Sequence, residues 1–210
     1  MNSLSKQTLA GLRILLVLTV LTGVLYPLGV WVVSRLPGLQ ANAEGSVITV
    51  NDKAVGSDLI GIDPVAKNPN NDPWFHTRPS AVAQDLDGDG TPDPLGPADP
   101  SISAGSNKGA FDKDLVAAIQ TRKDTIAARE NVHPSQVPAD AVTASASGLD
   151  PDISPDYADL QIKRVARENG LTTEQVHALV DDNTDGRGAG ILGEPGVNVL
   201  KLNLAVQAAR

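Results

Sequence analysis

The chain has no cysteine, which excludes a disulfide framework, thiolate catalysis and any zinc site built on sulfur. Aromatic residues supply only 3% of the 210 positions and methionine occurs once, so a core must be built from Val, Leu, Ile and Ala. Acidic residues are missing from the first 35 positions, which hold Lys6, Arg13 and Arg35; the net charge of −8 therefore leaves −11 on the remainder. That remainder has no basic stripe, which argues against a nucleic-acid partner. Glycine (19) and proline (15) are plentiful and imply a loop-rich domain, while 41% hydrophobic content is too high for a disordered chain.

The one long apolar run is Ile14–Val33, twenty residues without a charge. At about 1.5 Å per residue a helix of that length crosses the roughly 30 Å hydrocarbon layer. The expected organisation is a cytoplasmic tail over 1–13, a transmembrane helix over 14–34 and an outer domain over 35–210. Lys6 and Arg13 place the N-terminus in the cytoplasm, and Trp31 suits an interfacial anchor. A cleavable signal peptide is the competing reading, since Ala41-Asn42-Ala43 has a small-x-small pattern; the apolar run is long for that role and lies far from the site. Within the span, Thr19, Thr22, Gly23, Tyr26, Pro27 and Gly29 are a poor choice for dissolving in lipid. They suit close contact with a partner helix, with Pro27 freeing a carbonyl near Gly23.

The outer domain reads as α+β, a small sheet with about three helices. Ser46–Val50 and Ala54–Ile62 form a hairpin around Asn51-Asp52-Lys53. The cluster Trp74-Phe75-His76 belongs to the core. Residues 111–131 show helical spacing through Leu115, Ile119, Arg122 and Ile126, with Val116 beside them. Ser154-Pro155 opens a second helix that stops at Gly170, and Thr172 with Gln175 forms the capping box of a third. The end is ambiguous: Val197–Val206 reads as a strand at its start, with Ala205–Arg210 helical.

Catalytic chemistry is hard to find. Gly105-Ser106-Asn107-Lys108-Gly109 lacks phosphate-loop spacing, Ser145-Ala146-Ser147-Gly148 lacks the nucleophile-elbow pattern, and His76, His133 and His177 form no ligand pair. No catalytic residue is assigned. One motif survives: Asp85, Asp87, Asp89 and Asp93, with Gly90 at the turn, have the oxygen spacing of a calcium loop. Position 12 of that pattern is Gly96, so the bidentate glutamate is missing. Ca²⁺ is the candidate ion, and a free-standing membrane-anchored calcium-binding or adhesion module is the alternative function.

Several stretches read together: Leu21–Pro27, Val55–Gly61, Phe75–Ala81, Val142–Pro155, Arg164–Arg167 and Leu192–Leu200. In that order they resemble the C subunit of the Kdp-type potassium-transporting P-type ATPase, over nearly the full chain. The resemblance implies an accessory, non-catalytic subunit that stabilises assembly and raises the ATP affinity of the ATPase subunit. It also implies as partners a channel-like K⁺-binding subunit, the P-type ATPase subunit that hydrolyses ATP, and a small peptide subunit, all in the cell membrane. The resemblance lapses over about 82–102, where the acidic motif looks like an insertion.

Overall fold

A computed structural model describes residues 3–210, which divide into two units between Val47 and Ile48. In the first, an unbroken helical rod of 32 residues runs from Ser3 to Ser34, with a mean hydropathy of 2.1 over its most apolar 18 residues. Its parts are α1 (Ser3–Val20), one wide π turn (Leu21–Leu25) and α2 (Tyr26–Ser34). The wide turn has a covalent cause. Pro27 has no N–H to offer the Gly23 carbonyl four residues earlier, and the Tyr26 amide donates to Leu21, five residues back. A short α3 (Gln40–Ala43) follows, where Arg35 reaches Glu44 and lies over the Trp31 ring. The would-be cleavage residues Ala41–Ala43 lie in this helix.

The hairpin comprises β1 (Val47–Val50) and β2 (Lys53–Ser57), closed by Asn51 and Asp52 with φ of +50° and +61°. Two left-handed residues in a row make the tight turn that matches strand twist, and Asn and Asp tolerate it. The second strand stops at Ser57 and not at Ile62 as expected, because the chain turns away at Asp58–Ile60. Gly61 marks the next close approach: a Cβ there would lie 2.2 Å from the Asp150 carbonyl oxygen.

Further along come α4 (Lys113–Glu130), α5 (Ala139–Val142), β3 (Asp152–Ile153), α6 (Pro155–Asn169), α7 (Thr173–Asp182), β4 (Thr184–Asp185), β5 (Gly196–Asn198) and α8 (Val199–Ala208). The class is α+β, with more helices than the three expected. Those three are α4, α6 and α7, and their caps are as read: Ser154 Oγ accepts the Tyr157 amide, Gly170 closes α6 at φ +69°, and Thr172 and Gln175 bond reciprocally. Val116 departs from the α4 core stripe and is exposed.

The C-terminal segment corrects the strand expectation. Only Gly196–Asn198 is strand, the middle of an antiparallel β3-β5-β4 sheet, and the remainder is α8. The apolar-polar alternation at Leu200 and Leu202 misleads because Val199, Leu200, Leu202, Asn203 and Val206 are all buried. A helix buried on several faces loses its 3.6-residue signature. The core joins Phe75, Ile126, Ile153, Tyr157, Val165, Val176, Val197, Val199 and Leu202.

Candidate functional site

The acidic motif forms an exposed loop organised by its own carboxylates. Asp85 accepts the amides of Gly88 (2.7 Å) and Gly90 (2.8 Å), Asp87 accepts that of Asp89, and Asp89 accepts the amide and hydroxyl of Thr91. Gly88 and Gly90 have φ of +76° and +89°, a region that Cβ-bearing residues avoid. Oxygens of Asp85, Asp87 and Asp89 lie within 4.8 Å of one another. Asp93 is not in that trio; its Oδ2 accepts the Leu86 amide and closes the loop. The amide of Gly90 holds the Asp85 carboxyl below its ordinary range, and the Thr91 hydroxyl does the same for Asp89. The base is stapled by Gln84 donating to Pro97, an Ala83–Ala98 bridge, and Arg122 of α4 donating to the Pro94 carbonyl.

In the membrane-type helix, the Thr22 hydroxyl donates to the Leu18 carbonyl at 2.7 Å. Space is open around Gly23 and Gly29, where an added Cβ would meet nothing within 4 Å, and Tyr26 is exposed. Thr19 lies just before the wide turn and Thr22 inside it. Gly23, inside that turn and four residues before Pro27, is a small-residue position at which a second helix can approach.

A third feature escaped sequence reasoning. The segment Asp72–His76 runs extended through the interior without a strand partner. Side chains of α6 and α8 take the place of a sheet: Asn203 accepts the Phe75 amide (2.8 Å) and donates to its carbonyl (2.9 Å), while Gln161 accepts the His76 amide. Arg164 donates to the carbonyls of Asp72 (2.7 Å) and Trp74 (2.8 Å), and Asn169 to that of Pro73. A backbone so deep in apolar surroundings must have its polar groups paired. Around this segment, charges meet out of water. Arg164 also holds Glu130 through both carboxylate oxygens (3.1 and 3.0 Å), Arg129 bridges Glu130 and the Tyr157 hydroxyl, and His76 lies between Asp63 and Asp72. Burial works against the Arg129 charge, but Tyr157 and Glu130 outweigh it and hold the guanidinium protonated. Burial likewise raises the Tyr157 phenol. The sequence signal was faint: Arg164 and Gln161 fall on the α6 stripe that also carries Ala158, Ile162 and Val165. A polar residue on an apolar stripe is the one hint such a network gives.

Along α6 and α7 runs an open groove of about 550 Å³ lined by Asp159, Ile162, Lys163, Glu174, His177 and Asp181, none of which the sequence had singled out as a site residue. Neither the acidic loop nor the ion network brings a nucleophile, a base and an oxyanion donor to one point.

These features define a membrane-associated chain with one candidate N-terminal transmembrane helix and an α+β unit whose polar chemistry serves mainly to hold its own segments. The family model of KdpC, the c chain of K⁺-transporting ATPase, matches residues 8–208. The chain belongs to this family. It is 43% identical to the potassium-transporting ATPase KdpC subunit of Kineococcus radiotolerans over 209 residues, covering all of this chain and 97% of the relative. The corresponding subunit of Streptomyces avermitilis is 46% identical, with 94% and 91% covered, and that of Streptomyces coelicolor 45%, with 94% and 90% covered. The chain is thus a subunit of a multi-subunit potassium pump. The alternative of a free-standing calcium-binding or adhesion module has no support.

Proposed function

We propose that the chain is the accessory, non-catalytic subunit of an ATP-driven, high-affinity potassium uptake pump in the cell membrane, held through its helix and stabilising the assembly. The match to KdpC subunits along nearly the whole chain carries this reading. Its partners are a channel-like K⁺-binding subunit, a P-type ATPase subunit that hydrolyses ATP, and a small peptide subunit. The charge asymmetry of the first 35 residues puts the N-terminus inside and the bulk of the chain outside. ATP is then bound on the far side of the membrane, so any rise in the ATPase subunit's nucleotide affinity acts allosterically, through a coupling free energy between distant sites.

Thr19, Thr22, Gly23, Tyr26 and Pro27 form the contact with the pump's membrane helices. Purification in mild detergent tests this. Gly23→Leu should reduce co-elution of the large subunits more than Leu21→Ala, because a bulky side chain fills the open space at a small-residue position. Equal recovery of the complex with both variants removes the helix contact from the proposal. For the acidic loop, the spacing of Asp85, Asp87 and Asp89 favours weak Ca²⁺ binding as a local property separate from transport, with Asp93 closing the loop.

A further inference from the structure

His76 is enclosed by charge on every side. Its Nδ1 lies 2.7 Å from Asp63 Oδ1 and its Nε2 lies 2.5 Å from Asp72 Oδ2. A carboxylate can only accept, so both ring nitrogens must donate, and only the imidazolium carries two N–H groups. From α4, Arg129 and Glu130 face this cluster; from α6, Tyr157 and Arg164; from the adjoining loop, Arg78. The imidazolium and the two buried arginines balance Asp63, Asp72 and Glu130, three cations against three anions. Loss of the His76 proton breaks that balance.

We propose that His76 is a protonation-operated latch that holds the strap Asp63–Asn71 closed against the body of the C-terminal unit and releases the Asp63 end when it loses its proton. The two ends differ in what else holds them. Asp72 also accepts the Trp74 amide, lies 3.6 Å from the Arg164 guanidinium, and has its carbonyl bonded by that arginine. The Asp63 carboxylate has its hydrogen bond from His76 alone among the described contacts. A neutral imidazole has one N–H, and retaining it on Nε2 for the better-anchored Asp72 points a lone pair from Nδ1 at the Asp63 carboxylate. That end then gains by turning to water. The strap between is exposed at Val65, Lys67, Asn68 and Asn70, so it can move without opening the core. It is pinned just before its first residue by Gly61 donating to the Leu149 carbonyl, and at its last residue by Asn71 donating to Glu168.

The direction of titration agrees. Burial alone drives the imidazole toward neutral, and Arg129 adds to that push, but the Asp63 charge and the hydrogen bonds to Asp63 and Asp72 outweigh both and raise its pKa. With a folded pKa above the ordinary value of about 6.5, the latch contributes fully below that pH and is lost as pH rises through the folded pKa. Above that point the open population grows about tenfold per pH unit, one proton being released per opening.

The test uses the full chain in detergent micelles. Nitrogen NMR of ¹⁵N-histidine-labelled protein followed through a pH series should show one ring that keeps both nitrogens protonated to a higher pH than an ordinary histidine, absent in His76→Gln. Hydrogen exchange, corrected for intrinsic pH dependence, should show protection of residues 62–71 falling about tenfold per pH unit on the alkaline side while α4 and α6 hold theirs. Asp63→Asn, which keeps the shape and removes the charge, should leave 62–71 equally protected or unprotected at every pH. A His76 ring that loses its second N–H at or below the pH of an ordinary histidine overturns the latch. So does exchange in 62–71 that stays level through the pH at which the His76 ring loses its second N–H, or that keeps its pH dependence in Asp63→Asn.

Discussion

Arg164 is the residue whose loss should cost the C-terminal unit most. Its side chain is 4% exposed and makes five hydrogen bonds within 3.1 Å, to both oxygens of Glu130, the carbonyls of Asp72 and Trp74, and Gln161. Arg164→Met keeps most of the apolar stem and removes every donor. Glu130, whose side chain is fully buried, is left with Arg129 as its only cation among the described residues. Breaking one side of a buried pair costs about 3–5 kcal/mol, and each carbonyl stranded without a donor adds about 1–3 kcal/mol before relaxation or water entry reduces it. A net loss of about 4–6 kcal/mol is expected, close to half the stability of an ordinary domain. For a unit of this size that corresponds to a fall of about 10–20 °C in Tm. Near-ultraviolet circular dichroism of the full chain in detergent, with Trp74 and Tyr157 as reporters in the network, follows the transition. The decisive variant is Arg164→Met/Glu130→Gln, which removes the orphaned charge while leaving an oxygen for Arg129. It should recover about 2 kcal/mol relative to the sum of the two single changes, as coupled sites do. Strict additivity, or a single-variant cost below about 1 kcal/mol, would refute the reasoning, since Glu130 would then not depend on Arg164.

Gly61→Ala should destabilise the unit by about 1–3 kcal/mol, because the new methyl falls on the backbone oxygen of Asp150 and neither main chain can yield cheaply; urea denaturation measures it, and an unchanged midpoint contradicts the close approach. Protease added to spheroplasts should digest the chain beyond about residue 38, following the charge asymmetry, and protection until the membrane is breached reverses the proposed orientation. Calcium titration of the full chain should reveal binding in the high-micromolar to millimolar range that disappears in Asp87→Asn/Asp89→Asn; no heat and no thermal shift at several millimolar Ca²⁺ would leave it a solvated acidic loop.

What was legible in the sequence was local. The caps at Ser154 and Thr172 fix their helices because a side-chain oxygen three residues from an amide needs no knowledge of the rest of the fold. The wide turn before Pro27 follows from one missing N–H. Where the sequence misled, the controlling contact came from far along the chain. Leu200 and Leu202 alternate like a strand, yet Gly56 leaves room for Leu200 and the core receives Leu202, so α8 is buried on faces its pattern does not announce. The acidic loop was readable as spacing, but Asp93 serves the Leu86 amide and lies outside the trio, a choice made by loop closure. The ion network was invisible for the same reason: Asp63, His76, Glu130 and Arg164 are separated by 13 to 101 positions, and nothing in any one of them marks it as buried. Its logic appears only once Asp72–His76 is seen to cross the interior without strand neighbours. A chain with so few aromatic side chains gains little from ring burial, and Phe75 enters the core only if its backbone does. That backbone needs donors and acceptors from α6 and α8; long polar side chains supply them, and their charges must then be balanced where no water reaches. The scarcity read first from the composition and the buried arginine found last in the structure are therefore two ends of one physical requirement.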